Sequence, residues 1–581
     1  MDSDSSAIHQ NAGTYHPTVQ ERVRTRFAGL TPAQVQELVP TVEGEYRVKI
    51  EELEACLREL GSIRNAGATI NATLPPEVLM HVFRCFEPVD RQCNRIAHVC
   101  RLWRSLLRNT PEFWVCLLDP LVGGPLTSTD ERYASVVSDM VRNSSPFRFR
   151  IGLVASFTAA LGERGMVGDL SRLSSICLFV PSGSALDSFN RVSLPNLDTL
   201  SIWCTRGEVH RWTIPPTSSS QFPRLSALET NCASIARRFV SPCIRILSVG
   251  SSASLVCGTN HGSGSGTVLT CCRANNVQEV LKIMQECPIL EVLRFSGALP
   301  TLEDEFATMV HMPHLRALTI VDGPPHVHML LMKCISILAT TRLCYEVQQD
   351  EEQDPSTAKA LPPDLSFLPM LPSLDEAELC IRSSICTTDR GQVCYLRGLA
   401  KGVEGLYISV PARKGRKWRV AEAFSNIARI LESSVITTLA LHCYRSSAPL
   451  SEDNVLWIMN TFRHLRDLTV HGPHQQSLLV GLDRVEPDKL VELRRLELGS
   501  RDPEPRELED VVCAIAFYAT RGLRLDAFSY LYLNDGRRST FNQRFGIDDA
   551  DLRNYRARLA AVAGTVNLAA GKRKLPTVPK L

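Results

Sequence analysis

The sequence predicts a protein of mixed fold class: a short N-terminal helix or coiled coil, a three-helix module, and then a long, irregular α/β repeat array. Three observations carry this prediction: heptad spacing of apolar residues near residue 50, an apolar, tryptophan-containing cluster between residues 74 and 116, and a leucine motif that recurs from residue 195 onward. The predicted divisions are a largely disordered N-terminus (1–40), a short coiled-coil helix (41–66), the three-helix module (70–120), a repeat-like domain (145–546), and a capping helix with a basic tail (547–581).

Composition excludes several functional classes. The 581 residues are 44% hydrophobic and 22% charged, which is typical of a soluble globular protein. A net charge of +2 predicts no nucleic-acid partner, and no run approaches the roughly 20 apolar residues that would cross a membrane. The 20 cysteines include no C-x-x-C pair, which argues against a zinc site. The polar start without a secretory signal and the lack of a membrane span predict a reducing compartment, cytoplasmic or nuclear.

A helix with a coiled-coil seam is predicted just after Gly44. Apolar residues alternate at intervals of four and three, at Tyr46, Ile50, Leu53, Leu57 and Leu60. The pattern lasts about two heptads, fewer than the three or four that indicate an autonomous coiled coil. Two interpretations therefore stay open: a single amphipathic helix packed on its own chain, or a seam that forms a weak homodimer.

The three-helix module follows. The first helix opens at Leu74 with proline in its first turn and an acid near its positive end, and it ends before Pro88. A second helix is predicted from Arg91 to Leu107, and Thr110 begins a short third one. So much apolar surface on about 45 residues makes a poor free-standing domain, so we expect the module to pack against a partner; an ordinary three-helix core is the alternative.

This segment resembles an F-box. The pattern is carried by Leu74-Pro75-Pro76-Glu77, Phe83, Val99-Cys100-Arg101-Leu102-Trp103-Arg104 and Pro111-Glu112-Phe113-Trp114. The coil before it is similar to the arrangement in F-box proteins of mushroom-forming fungi, although Glu87–Asn94 lacks the usual leucine after the acid. The resemblance implies docking to a Skp-type linker, and through it to a cullin, by Leu74, Pro75, Glu77, Leu79, Val82, Phe83, Val99, Cys100, Trp103, Leu106 and Trp114.

The long remainder repeats a strand motif, L-x-x-L-x-L. Clear copies are Pro195–Ile202, Pro288–Phe295, Pro313–Ile320, Arg463–Val470 and Val491–Leu498, and weaker ones are Pro223–Thr230, Ile244–Val249, Leu374–Leu379, Val403–Ile408 and Ile436–Leu441. Helices are predicted between copies, at Val277–Glu286, Val420–Leu431, Asn454–Phe462 and Leu508–Tyr518. A strand and helix per unit resembles an irregular leucine-rich-repeat solenoid, but the usual asparagine is missing. A compact mixed α/β domain is the alternative.

No catalytic signature emerges. Gly262–Gly266 lacks the Lys-Ser/Thr of a phosphate-binding loop, and the histidines have no metal-ligand spacing. We therefore expect no cofactor, no metal and no enzymatic activity. The predicted function is that of a substrate-recognition adaptor of a Skp–cullin–F-box ubiquitin ligase, in which the repeat-like domain binds a protein substrate that the sequence does not identify. The alternative is a non-catalytic repeat scaffold outside ubiquitination.

Overall fold

A computed structural model describes most of the chain. The described residues are 19–86, 91–119, 131–154, 167–180, 186, 189, 192–204, 221–250, 277–296, 309–323, 331–347, 365, 367–383, 392–411, 423, 430–443, 451–472, 475–500, 505–534 and 548–572. They form two compact units, one made of the residues up to 86 and Gln92–Phe113, the other of Arg91 and the residues from Trp114 onward. The glycine-rich 262–266 stretch and most of the predicted helix Val420–Leu431 lie outside these residues.

The first unit opens with two helices, α1 (Val19–Phe27) and α2 (Pro32–Ala66). The expectation of disorder over 1–40 is therefore wrong for residues 19–40, and residues 1–18 lie outside the described part. Helix α2 begins at a capping box, in which the Thr31 hydroxyl accepts from the Gln34 backbone N–H and the Gln34 side chain accepts from the Thr31 backbone N–H. Pro32 in the first turn strengthens this start, so the helix begins nine residues earlier than the predicted residue 41.

Helix α1 turns back onto the first half of α2. The turn uses Gly29 in a left-handed conformation (φ 81°), which glycine adopts without steric cost. The Arg26 guanidinium then forms a bidentate pair with the Glu45 carboxylate, with 2.7 Å between Nη2 and Oε1. Val42 is buried, whereas Ile50 and the seam residues after it are exposed.

Four helices and one 3-10 helix follow. They are α3 (Thr69–Thr73), α4 (Pro76–Cys85), the 3-10 helix (Arg91–His98), α5 (Arg101–Arg108) and α6 (Pro111–Leu118). The predicted single helix over Arg91–Leu107 is wrong. Cys100 adopts an extended conformation and its Sγ accepts from the Trp103 backbone N–H, which caps a new helix and separates it from the 3-10 turn.

The second unit is a large mixed α/β region with one long sheet. Its strands are β1 (Phe149–Val154), β2 (Leu173–Val180), β3 (Thr199–Cys204), β4 (Ala227–Thr230), β5 (Ile246–Gly250), β6 (Val292–Ser296), β7 (Val310–His311), β8 (Ala317–Gly323), β9 (Ile335–Ser336), β10 (Arg342–Val347), β11 (Glu376–Ser383), β12 (Gln392–Ala400), β13 (Val403–Pro411), β14 (Thr438–Cys443), β15 (Asp467–His471), β16 (Arg495–Ser500), β17 (Leu525–Asn534) and β18 (Ala563–Lys572). The last four residues of every predicted copy of the leucine motif lie in a strand of this sheet.

Helices alternate with many of these strands. Among the described residues they are α7 (Glu131–Asn143), α8 (Val167–Leu170), α9 (Ala233–Phe239), α10 (Val277–Gln285), α11 (Glu452–Thr461), α12 (Gln475–Asp483), α13 (Pro487–Leu490), α14 (Pro505–Thr520) and α15 (Asp549–Ala560); Leu371–Ser373 is a 3-10 turn. The predicted helices Val277–Glu286, Asn454–Phe462 and Leu508–Tyr518 correspond to α10, α11 and α14.

Sixteen strands form the sheet in the order β1-β2-β3-β4-β5-β6-β8-β10-β13-β12-β11-β14-β15-β16-β17-β18. Strand β12 pairs antiparallel with both its neighbours, and all the other pairs in this sheet are parallel. Apart from this inserted β11–β13 segment and the separate β7–β9 pair, each strand lies beside the one that precedes it in the chain. Outside that segment, the strand numbers rise from one edge of the sheet to the other, whereas in a doubly wound sheet the strand order reverses near the middle.

The strand register stacks the motif leucines into rows. Leu200, Leu228 and Leu247 pair directly across three strands, and Leu439, Leu468 and Leu496 do so further along the sheet. All six are buried. Because side chains alternate between the two faces of a strand, these rows of buried leucines lie on one face of the sheet and the intervening residues lie on the other.

The C-terminal segment holds more than the predicted capping helix and basic tail. Helix α15 is capped by Asp548, whose side chain accepts from the backbone N–H groups of Ala550 and Asp551. Strand β18 then pairs parallel with β17 at the edge of the sheet. The sheet therefore extends past the predicted boundary at 546, while residues 573–581 lie outside the described part.

Candidate functional site

The predicted linker-binding residues separate into three groups by burial. Leu79, Phe83, Cys100 and Trp114 are buried within the chain, Leu74, Trp103 and Leu106 are half-buried, and Pro75, Glu77, Val82 and Val99 are exposed. The buried four therefore pack in the protein core of this structure. A docking contact is available only to the exposed members and to the accessible parts of the half-buried ones.

The core between α4 and α5 is built on two aromatic rings. Phe83 and Trp103 meet edge to face, with 5.3 Å between their centroids. The Trp103 indole N–H donates to Asn71 Oδ1 at 2.7 Å, so the polar end of this large side chain is satisfied. Asn71 in turn donates to the Asn65 carbonyl at 2.7 Å. Sequence reasoning missed Asn71 because a single asparagine in a predicted break carries no periodic signal.

The C-terminal end of α2 is tied to the same module. Asn65 Nδ2 donates to the Val99 carbonyl at 3.2 Å, and Arg101 Nη1 lies 3.4 Å from Glu59 Oε2. Together with the Asn71 hydrogen bonds, these contacts connect α2, α3 and α5 within the first unit. Helix α2 is therefore attached to the module through its last two turns.

Apolar side chains remain outside this core. Val78 and Val82, one turn apart on α4, are 44% and 49% exposed, and Val99 and Leu102 are exposed at the start of α5. Burial of such groups is favourable by about 25 cal/mol per Å² of apolar surface. The module therefore presents valine and leucine side chains on neighbouring helices, which is suited to helix-in-groove docking.

Residues 72–118 match the family model described as F-box-like. The chain contains an F-box-like domain. The match spans α4, the 3-10 helix, α5 and α6, and it supports an F-box protein with the general adaptor role of that class. No curated protein matches the chain.

A second candidate surface lies on the sheet face opposite the leucine rows. Ion pairs link Arg342 to Glu404 (Nε–Oε1, 2.7 Å), Glu404 to Arg397 (Oε2–Nε, 2.7 Å) and Arg397 to Glu378 (Nη1–Oε2, 3.5 Å) across four adjacent strands. Burial raises the pKa of the Glu378 carboxyl above its ordinary value, and the Arg397 guanidinium opposes that rise. The charges are thus largely compensated within the chain.

Two histidines continue this polar face. His442 Nδ1 lies 3.1 Å from His471 Nδ1, and His471 Nε2 lies 2.8 Å from Glu497 Oε1. Because the carboxylate accepts, neutral His471 carries its proton on Nε2, and His442 Nδ1–H is then the donor between the rings. Burial, followed by the nearby His471, lowers the pKa of His442 from 6.5 to about 3.

The sheet bends toward this face. Leu531 on β17 packs against the cluster of Cys344, Cys380, Tyr395 and Tyr407, although four strand steps separate β17 from β11, the nearest strand of that cluster. At a spacing of about 4.8 Å per strand, a flat sheet would hold β11 and β17 about 19 Å apart. The contact therefore requires curvature, which makes this the inner face of the bend.

Other site classes find no support in the described ranges. No described helix is long and apolar enough to cross a membrane. Among the same residues, no group of three or more histidine, cysteine or acidic side chains is arranged to hold a metal ion.

Proposed function

We propose that this chain is the substrate-recognition subunit of a Skp–cullin–F-box ubiquitin ligase, and that it is not itself an enzyme. The observation that carries the proposal is the F-box-like domain with apolar side chains left outside its own core. The linker would cover Val78, Val82, Val99 and Leu102, and a cullin would join through the linker. The chain would act by raising the local concentration of a substrate near the ligase's catalytic subunits.

The α/β region is the proposed substrate-binding part. Sequential parallel strands, a recurring leucine motif and curvature near β17 favour an irregular leucine-rich-repeat-like solenoid. The inserted antiparallel β12 accounts for part of the irregularity. The inner face of the bend is the proposed contact surface for a protein substrate, as it is generally in repeat arrays, and the fungal type of F-box protein is the proposed family.

The test is co-purification of the full-length chain with a purified Skp-type linker. A Val78→Glu, Val82→Glu double variant should lose most binding, because two half-exposed valines contribute about 1 kcal/mol each, or about 30-fold in affinity together. Val48→Glu is the matched control, since Val48 is 54% exposed on α2 outside the F-box-like domain. Equal linker retention by all three proteins would overturn the proposed docking face.

The second candidate function is a repeat scaffold outside ubiquitination. It would follow if the wild-type chain retained no linker while its far-ultraviolet circular dichroism showed a folded protein. Linker retained without a cullin, even when cullin is supplied, would also favour an assembly role over a ligase.

A further inference from the structure

The second half of helix α2 carries an apolar stripe along one side, and this stripe is exposed to solvent. Leu53, Leu57 and Leu60 are 65%, 68% and 62% exposed, and Ile50 is exposed one turn before them. Among the described residues, helix α1 pairs with α2 at Glu45, and helix α5 pairs with α2 at Glu59. Among the described residues, no side chain buries Ile50, Leu53, Leu57 or Leu60, so the interpretation of this helix as packed on its own chain does not hold for these four positions.

The stripe has the heptad geometry of a two-stranded coiled coil. With Ile50 and Leu57 at positions a, the residues at positions d are Tyr46, Leu53 and Leu60. Ile50, a β-branched residue at a, combined with Leu53 and Leu60 at d favours a two-stranded coil, and Leu57 at the other position a keeps the seam apolar. Isolated apolar residues on a surface are ordinary, but a continuous seam of about 22 Å at this spacing is not.

The charges beside the seam favour a second copy of this helix as the partner, in the parallel direction. In a parallel pair, position g of one helix faces position e of the next heptad in the other helix, which sets Lys49 opposite Glu54 of the second copy, twice per dimer. In an antiparallel pair, the two Glu54 carboxylates would face each other and the two Cys56 thiols would become neighbours. The attraction between Lys49 and Glu54 in the parallel pair, and the repulsion between the two Glu54 carboxylates in the antiparallel pair, favour the parallel arrangement.

We propose that the chain forms a parallel, in-register homodimer through the α2 seam from Tyr46 to Leu60. The occupant of the exposed stripe is thus a second copy of this chain. Two heptads make a short interface, so the dimer should be weak and concentration-dependent. The proposal does not depend on linker binding, since the seam and Val78 or Val82 lie on different helices.

Sedimentation equilibrium of the full-length chain tests the association. The average mass should rise from 64.5 kDa toward twice that value as the concentration approaches the order of 100 µM. Leu57→Glu should weaken the dimer by roughly 100-fold, because each dimer loses two buried leucines and gains two like charges. Val48→Glu, on the opposite side of the helix at position f, should leave the association unchanged. A wild-type chain that stays monomeric overturns the proposal.

Cross-linking tests the direction. Position d faces its own copy only in a parallel, in-register pair, so Leu53→Cys in a Cys56→Ser background should form a disulfide between residues 53, identified by mass spectrometry. Leu53 and Leu57 are exposed in the monomer, so neither substitution should disturb its fold, which circular dichroism verifies. If this variant forms no such disulfide while the wild-type dimer cross-links through Cys56, the parallel arrangement is overturned.

Discussion

Acidification should destabilise the second unit through His442. The neutral ring is buried and donates to His471, so the folded state resists its protonation, and its pKa falls to about 3 from 6.5. A histidine whose folded-state pKa is depressed stabilises the fold fully above the unfolded pKa and loses that contribution as pH falls. Between pH 7 and pH 5, binding one proton to the unfolded chain alone should cost roughly 2 kcal/mol of stability.

Urea unfolding followed by circular dichroism at pH 7 and pH 5 would measure this loss. His442→Gln removes the titration while its amide can still donate to His471, so this variant should lose roughly 2 kcal/mol less than wild type between the two pH values. His464→Gln, at an exposed position, should behave like wild type. If His442→Gln and wild type lose the same stability on acidification, the buried ring is not the group that titrates.

Two further predictions concern single side chains. Asn71→Ala should destabilise the first unit by about 1–3 kcal/mol, because the Trp103 indole N–H loses its acceptor and the Asn65 carbonyl loses a donor. Thermal unfolding measures this loss, with Asn109→Ala at the exposed end of α5 as the control variant. Equal unfolding midpoints for the two variants would contradict the prediction. Gly499→Ala should lower the stability of the fold by about 1–3 kcal/mol, because the new Cβ would lie 2.6 Å from His471 Cδ2. The control Gly44→Ala, whose Cβ would have no neighbouring atom within 4 Å, should instead raise stability slightly. An unchanged stability of Gly499→Ala would show that the two histidine rings can shift to make room.

The helices of the F-box-like domain could be predicted from the sequence because their signals are local. Proline near the start of α4 and apolar residues at helical spacing place that helix within a residue or two. The break at Cys100 could not be predicted, because it depends on one thiol accepting from one backbone N–H. Helical periodicity also places Val82 and Phe83 on the same apolar side of α4. Only the packing in the structure shows that Phe83 is buried and Val82 is exposed.

The α/β region shows a similar division. Each leucine motif predicts a strand, since two alternating leucines must enter a core. The order of the strands depends on pairing between residues far apart in the sequence. Strand β12 carries no leucine motif, so its antiparallel insertion could not be predicted. Strand β18 was missed because its small residues, such as Ala563 and Gly564, give a weak β signal, and pairing with β17 outweighs that propensity.

The family pattern in residues 72–118 is to a large extent a folding pattern. Leu79, Phe83 and Cys100 carry the resemblance and are buried, while Val82, one residue from Phe83, is exposed. A substitution such as Phe83→Ala would therefore unfold the domain, since loss of a buried phenylalanine costs about 3–5 kcal/mol, and its effect would not test the proposed linker docking. Only exposed positions can separate docking from folding. For the same reason, the α2 seam is a favourable place to test assembly, because its leucines contribute little to the fold of the single chain.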